Sequence, residues 1–188
     1  MLQTPFYRRK IVWPDKSFYF FTLSTFAHLP YFQSDRQKQL VLNFIKDLQV
    51  KHKVGIKAFA ILLNHIHLLF YLKQGKAVSL VKGFLQGNIT REYNREYELQ
   101  GKSFWHPTKV LYVKDSKSLF NIIAYIDGNP LKHKAVGTIA ELSQYHFSSF
   151  RYHIKEFGYE FMEGLVYKFI NVKEDSWGQV NFLGRCSK

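Results

Sequence analysis

The chain has 188 residues, 46% hydrophobic and 18% aromatic, enough for one ordinary core and far from a disordered composition. Its 27 Lys+Arg against 14 Asp+Glu give a net charge of +13, which favours a polyanionic partner, nucleic acid ahead of an anionic membrane surface. Cys186 is the only cysteine, which excludes an intramolecular disulfide and a cysteine-built zinc site. Met1 to Lys10 lacks the apolar core of a signal peptide, and the longest apolar stretch, Ala58 to Leu72, is too short to span a bilayer. A soluble cytoplasmic protein without a membrane partner is expected.

Ser17 to Thr25 is rich in aromatic and β-favouring residues and predicts a buried strand. Ser34-Asp35-Arg36-Gln37 has the form of a capping box, and Leu40, Val41, Phe44, Ile45 and Leu48 follow at helical spacing. Gly55 to Leu63 predicts a second strand and His65 to Leu72 a third, with Asn64 as the hinge of a tight hairpin. A helix is expected from about Ala77 to about Leu99, with Val81, Phe84, Leu85, Ile89, Tyr93 and Tyr97 on one face and Gly101 as its stop. Val110 to Val113 predicts a short strand.

Asp115 or Ser116 caps the next helix, which Pro130 should end near Asn129. Leu119, Phe120, Ile123 and Ile126 would face the core there, with Tyr125 and Asn129 on the flank. Farther on, Tyr145 to Arg151 reads as a turn entering a serine-capped helix, and Glu160 to Val172 as another helix. This order of elements predicts an α+β sandwich with a mainly antiparallel sheet. With no repeat and no linker, residues 1–188 read as a single domain whose residues 145–188 form a C-terminal helical extension.

His65 and His67 stand at i and i+2 in a strand and so project to one side. Ile61, Leu62, Leu63, Leu68, Leu69 and Phe70 surround them, and imidazoles in such a strand need partners, because burying polar groups without them costs roughly a few kcal/mol each. Tyr125 and Asn129, at i and i+4, share a helix face. Two imidazoles, an amide oxygen and a hydroxyl nucleophile could therefore meet at one divalent metal. The densest basic points are Arg8-Arg9-Lys10, Lys51-His52-Lys53 and Lys132-His133-Lys134. His52, His106, His133, His146 and His153 read as surface or phosphate-contacting residues, and Tyr7, Tyr19, Tyr93, Tyr97 and Tyr112 as core, helix-face or DNA-facing aromatics.

Leu63-Asn64-His65-Ile66-His67 resembles the Pro-Asn-His-x-His signature of the insertion-sequence-200-like single-tyrosine transposases. Tyr125-Ile126-Asp127-Gly128-Asn129-Pro130 resembles their Tyr-Ile-x-x-Asn-Pro block in the form of the REP-associated tyrosine transposase branch. Phe104-Trp105-His106 and Tyr145-His146-Phe147-Ser148-Ser149-Phe150 are similar to two further stretches, in family order from about Phe18 to about Tyr152. The chain departs from the pattern at Leu63 for proline, at Asp127 for a frequent histidine and at Pro107 for glycine.

The resemblance implies a ferredoxin-like α+β fold with a central antiparallel sheet and a helix carrying the catalytic tyrosine. It implies a metal-dependent single-strand DNA endonuclease and strand transferase acting at hairpin ends. His65, His67 and Asn129 would hold Mg²⁺ or Mn²⁺, and Tyr125 would form a 5′-phosphotyrosine intermediate. Arg8, Arg9, Lys10, Lys109, Lys132 and Lys134 are candidates for DNA backbone contacts, and Trp105 and Tyr112 for stacking on unpaired bases. Monomeric and homodimeric states both occur among such proteins. Two alternatives remain: a domesticated hairpin-binding protein without transposition, and a replication-initiator-type nickase.

Overall fold

The computed structural model describes residues 12–98, 103–173 and 180–183. Strand β1 (Ser17–Ser24) leads to helix α1 (Asp35–Lys51), the hairpin β2 (Gly55–Ile61) and β3 (His65–Leu72), helix α2 (Val78–Tyr97) and strand β4 (Thr108–Val113). Helices α3 (Ser116–Lys132), α4 (Ile139–Gln144), α5 (Phe150–Phe157) and α6 (Tyr159–Phe169) follow, and then strand β5 (Val180–Leu183). The sheet order is β2-β3-β1-β4-β5, with every neighbouring pair antiparallel. The stretch read as helical from residue 145 thus also contributes an edge strand.

β1 and β3 are interior strands covered on both faces, which is why their sequences run apolar without alternation. One face carries Tyr19, Phe21, Leu68, Phe70 and Val110, packed with Val41, Ile45 and Leu48 of α1 and Val81, Leu85 and Ile89 of α2. The capping box opens α1 as expected: Ser34 Oγ accepts from the Gln37 amide, and the Gln37 side chain accepts from the Ser34 amide. α2 ends at Tyr97, where Glu98 takes a left-handed conformation; the expected stop, Gly101, lies outside the described residues.

The other sheet face carries Phe20, Ala58, Ala60, Leu69 and Leu111, packed with Ile122, Ile123, Tyr125 and Ile126 of α3. Phe150, Met162 and Val166, from α5 and α6, close this second core. The molecule therefore has helices on both sides of the sheet, and α3 lies between the sheet and α6. This corrects two expectations about α3. Phe120 is 39% exposed, whereas Tyr125 is only 5% exposed and Asn129 fully buried, because a helix covered on opposite sides has little solvent-facing flank. The helix also continues through Pro130 to Lys132, with the His133 amide closing on the Asn129 carbonyl. A proline in the last turn forgoes one hydrogen bond without preventing the next. Gly128 marks the close approach of α3 to α6: a Cβ there would meet Val166 Cγ1 at 2.9 Å.

Candidate functional site

The strand register builds the site. Thr22 of β1 lies directly opposite His67 of β3 and Lys109 of β4, so all three side chains leave the same sheet face, the one covered by α3. The β2–β3 turn, closed by the Leu62 amide on the His65 carbonyl, sets His65 two residues before His67. The two imidazole centroids are 4.9 Å apart. From the helix side, the Tyr125 ring lies 5.5 Å from the His67 ring and edge-on to Phe20 at 6.3 Å. Asn129 Oδ1 is 3.1 Å from His67 Nε2. The four residues selected for the chemistry therefore converge.

Neighbours hold each group in place. Asn129 Nδ2 donates to the Tyr125 carbonyl, which turns Oδ1 toward His67. Asn64 Nδ2 donates to the His28 carbonyl, and its Oδ1 accepts from His65 Nδ1, which puts the lone pair of that imidazole on Nε2. Thr22 Oγ1 is 3.1 Å from His67 Nδ1. A hydroxyl can donate or accept, so Thr22 serves either tautomer of His67: accepting from Nδ1–H when Nε2 is a ligand, and donating to Nδ1 when Nε2–H is bound to Asn129.

Burial pushes the His67 pKa down to about 3, with the nearby His133, Lys132 and Lys109 adding to the fall and the Asn129 hydrogen bond opposing it. His65 is held well below the ordinary imidazole value by burial and by His67, His133 and His28. Both rings are therefore neutral at physiological pH, the form that binds metals. Two neutral imidazole nitrogens, which are borderline donors, and one hard amide oxygen could together hold a divalent ion. Bonds of about 2.0–2.1 Å at right angles place neighbouring octahedral ligand atoms about 3 Å apart, close to the 3.1 Å between His67 Nε2 and Asn129 Oδ1. Among the described residues no group of three His, Cys, Asp or Glu could hold a metal, so two imidazoles and an amide oxygen are the available set.

The remaining candidates divide. Lys109 shares the sheet row of His67, and Lys132 lies over the Tyr125 ring, Nζ 4.7 Å from its centroid. Lys134 is exposed and lines a cleft of about 340 Å³ beside His65, together with Lys38, Asn64, His133 and Tyr145. Trp105 and Tyr112 belong to the opposite face. Trp105 Nε1 donates to Thr90 and to the Gln86 carbonyl, and Tyr112 packs beside Tyr19. Arg8, Arg9 and Lys10 lie outside the described residues.

Of the histidines read as surface or phosphate-contacting residues, His133 is exposed as expected but borders the site, whereas His153 is buried. His133 caps α3 with its ring 4.8 Å from that of His65. His153 is buried, its Nδ1 2.5 Å from Asp127 Oδ2, and its Nε2 is 3.0 Å from the Lys57 carbonyl. Ser149 donates to the other Asp127 oxygen at 2.5 Å, so the serine preceding α5 spends its hydroxyl on Asp127 rather than on capping its own helix. Burial raises the Asp127 pKa, and the charge and hydrogen bond of His153 offset only part of that rise. Burial alone would lower His153, but Asp127 outweighs it and the net shift is upward. Both shifts are upward, so the pair keeps its protons to higher pH than the free side chains would. This cluster bolts α3 to α5 and β2 on the side of the helix away from His67.

The family model described as "Transposase IS200 like" matches residues 17–129, more than half of the chain, from the start of β1 to Asn129. The chain belongs to the IS200-like transposase family. A Haemophilus influenzae protein assigned as a REP-associated tyrosine transposase is 28% identical over 158 residues, 73% of this chain and 81% of the relative. The solved structure of a REP-associated tyrosine transposase bound to a REP hairpin superposes with a TM-score of 0.61 at 21% identity, covering 81% of this chain and 86% of that one. The α+β architecture inferred from the sequence is thus shared with a transposase of known fold. No helix among the described residues is long and apolar enough to cross a membrane.

Proposed function

We propose that this transposase-family chain cleaves and rejoins single-stranded DNA at hairpin ends through a 5′-phosphotyrosine on Tyr125. The observation that carries the reading is the contact of Tyr125 with His67 while Asn129 Oδ1 stands 3.1 Å from the same imidazole. A helix and a strand far apart in sequence bring a phenol and metal-binding donors together in a chain of this family.

His65, His67 and Asn129 would hold Mg²⁺ or Mn²⁺. Bound there, the ion supplies charge neutralisation at the scissile phosphate and at the departing oxygen. Tyr125 supplies the nucleophile. Its oxygen bonds to phosphorus as the phenolic proton passes to solvent, and the bond from phosphorus to the 3′-oxygen breaks. The electron pair goes to that oxygen, which takes a proton and becomes a free 3′-OH. The new ester keeps the phosphodiester bond energy, so attack by another 3′-OH rejoins the strand without ATP. Thr22 and Asn64 orient the two imidazoles, and the hydrogen-bonded pair of Asp127 and His153 fixes the register of α3. The cleft beside His65, with Lys38, His133 and Lys134 on its walls, gives the DNA strand a basic path to the site.

The test is incubation of the protein with single-stranded DNA from the flanks of its own gene, with and without Mg²⁺. A covalent adduct that maps to Tyr125 by peptide mass spectrometry, and that is missing from Tyr125→Phe while hairpin binding persists, is the expected result. An adduct on another tyrosine, or cleavage by the phenylalanine variant at the wild-type rate, overturns the assignment. Hairpin binding with no adduct in any divalent metal points to the domesticated binder instead.

A further inference from the structure

Tyr125, Asn129 and Lys132 fall at i, i+4 and i+7 of α3 and form one stripe along the helix. The contacts of Tyr125 and Asn129 with His67 show that this stripe faces the sheet row of His67, Thr22 and Lys109. At the end of the stripe the Lys132 ammonium lies over the Tyr125 ring, 4.7 Å from its centroid. Tyr125 is 5% exposed, whereas Lys132 is half-buried. A phosphate that reaches the phenol oxygen therefore enters the field of this cation, in a setting where water screens it poorly.

We propose that Lys132 is a further catalytic residue whose ammonium contacts a non-bridging oxygen of the phosphodiester attacked by Tyr125. The proposal rests on the phosphotyrosine reading above. During attack the Tyr125 oxygen bonds to phosphorus, the bond to the 3′-oxygen breaks, and charge accumulates on the non-bridging oxygens and the leaving oxygen. Lys132 exchanges no atom in this step. It stays protonated and offers a fixed positive charge where negative charge develops. Such a contact strengthens in the transition state, so it acts on the rate of the chemical step more than on binding. Lys134, exposed and beyond the end of α3 in the cleft beside His65, offers an internal comparison.

The experiment compares single-turnover adduct formation by wild type, Lys132→Met, Lys132→Arg and Lys134→Met on two hairpin oligonucleotides. One has an ordinary scissile phosphodiester. The other has a methylphosphonate there, which is neutral. On the ordinary substrate Lys132→Met should lose about 10²-fold or more in rate, with hairpin affinity within about twofold. Lys132→Arg should keep most of the rate, and Lys134→Met should change affinity alone. On the methylphosphonate the gap between wild type and Lys132→Met should shrink to about threefold or less, because the anionic non-bridging oxygen is replaced by a methyl group and much less charge needs to be offset. A rate loss of equal size on both substrates, or a loss wholly in affinity, overturns the proposal. Should the methionine variant melt early, Lys132→Gln and Lys132→Arg carry the same comparison. Failure of wild type to form any Tyr125 adduct is a different outcome, which sinks the phosphotyrosine reading itself.

Discussion

Removing Asp127 should unsettle the molecule more than any other single change on α3. Its carboxylate is fully buried, accepts from Ser149 at 2.5 Å and sits 2.5 Å from His153 Nδ1. Truncating one partner of a buried ion pair costs about 3–5 kcal/mol when the other is left charged. His153 can shed its proton, so Asp127→Ala should fall at the lower end, about 3 kcal/mol, still a large part of a typical stability of about 5–15 kcal/mol. Asp127→Asn is the informative control. An amide keeps the volume, can accept from Ser149, and can donate to a neutral His153. It should cost roughly 1 kcal/mol, in line with an ordinary hydrogen bond rather than a charged one.

The two variants also separate by pH. The folded-state pKa of His153 is raised, so its stabilising contribution is complete below the unfolded value of about 6.5. It is lost as pH rises through the higher folded value. The stability gap between wild type and Asp127→Asn should therefore narrow from pH 6 toward alkaline pH. Urea unfolding of wild type, Asp127→Asn, Asp127→Ala, His153→Ala and the Asp127→Ala/His153→Ala double variant at pH 6 and pH 8.5 measures both effects. The cycle should show a coupling of about 1.5–3 kcal/mol. Additive single losses, or a gap that widens with pH, would refute the coupled-pair account.

His67 gives the opposite sign on the acid side. Its folded pKa is lowered to about 3, so in chelator-treated protein stability is complete above about pH 6.5 and should fall by roughly 1.4 kcal/mol per unit below it. His67→Gln should flatten that slope, and an unchanged urea midpoint between pH 6.5 and 4.5 in wild type would count against it. Thr22→Val keeps the shape of the side chain and deprives His67 Nδ1 of its hydroxyl. Metal affinity, read by Mn²⁺ titration, should fall about 10–100-fold, and equal affinity would remove Thr22 from the site. Hairpin binding should weaken with salt, with a log–log slope of magnitude roughly 0.7 per phosphate contact; a flat response would undercut the argument from a net charge of +13.

The parts of the fold legible in the sequence are those set by neighbours along the chain. The capping box at Ser34, the turn at Asn64 and the helical spacing of Val81, Leu85 and Ile89 each occupy a few residues, and each element formed where expected. What could not be read locally is how many layers cover an element. The spacing of α3 suggested one apolar face, but its run Ile122-Ile123-Ala124-Tyr125-Ile126 has almost no polar side at all, the mark of a helix enclosed all round. Asp127 and His153 stand 26 residues apart, one inside the Tyr125–Pro130 block and the other just past the Tyr145–Phe150 stretch, and only the packing of α5 on α3 joins them.

Parity along a strand carries the site assignment further than residue type does. Lys109 and Tyr112 both seemed suited to DNA, yet three residues apart in a strand they must face opposite ways. With Thr22 opposite both His67 and Lys109, Lys109 falls on the face of His67, and Tyr112, opposite Tyr19, falls among the residues under α1 and α2. The same count selects Thr22 as the partner of His67 and puts Phe20 one row deeper, against Tyr125. Aromatic content alone pointed to Trp105 and Tyr112. The register puts Lys109 on the face of His67 and α3 brings Lys132 over the Tyr125 ring, so in the proposed reaction a phosphodiester would meet one cation from the sheet and another from the helix.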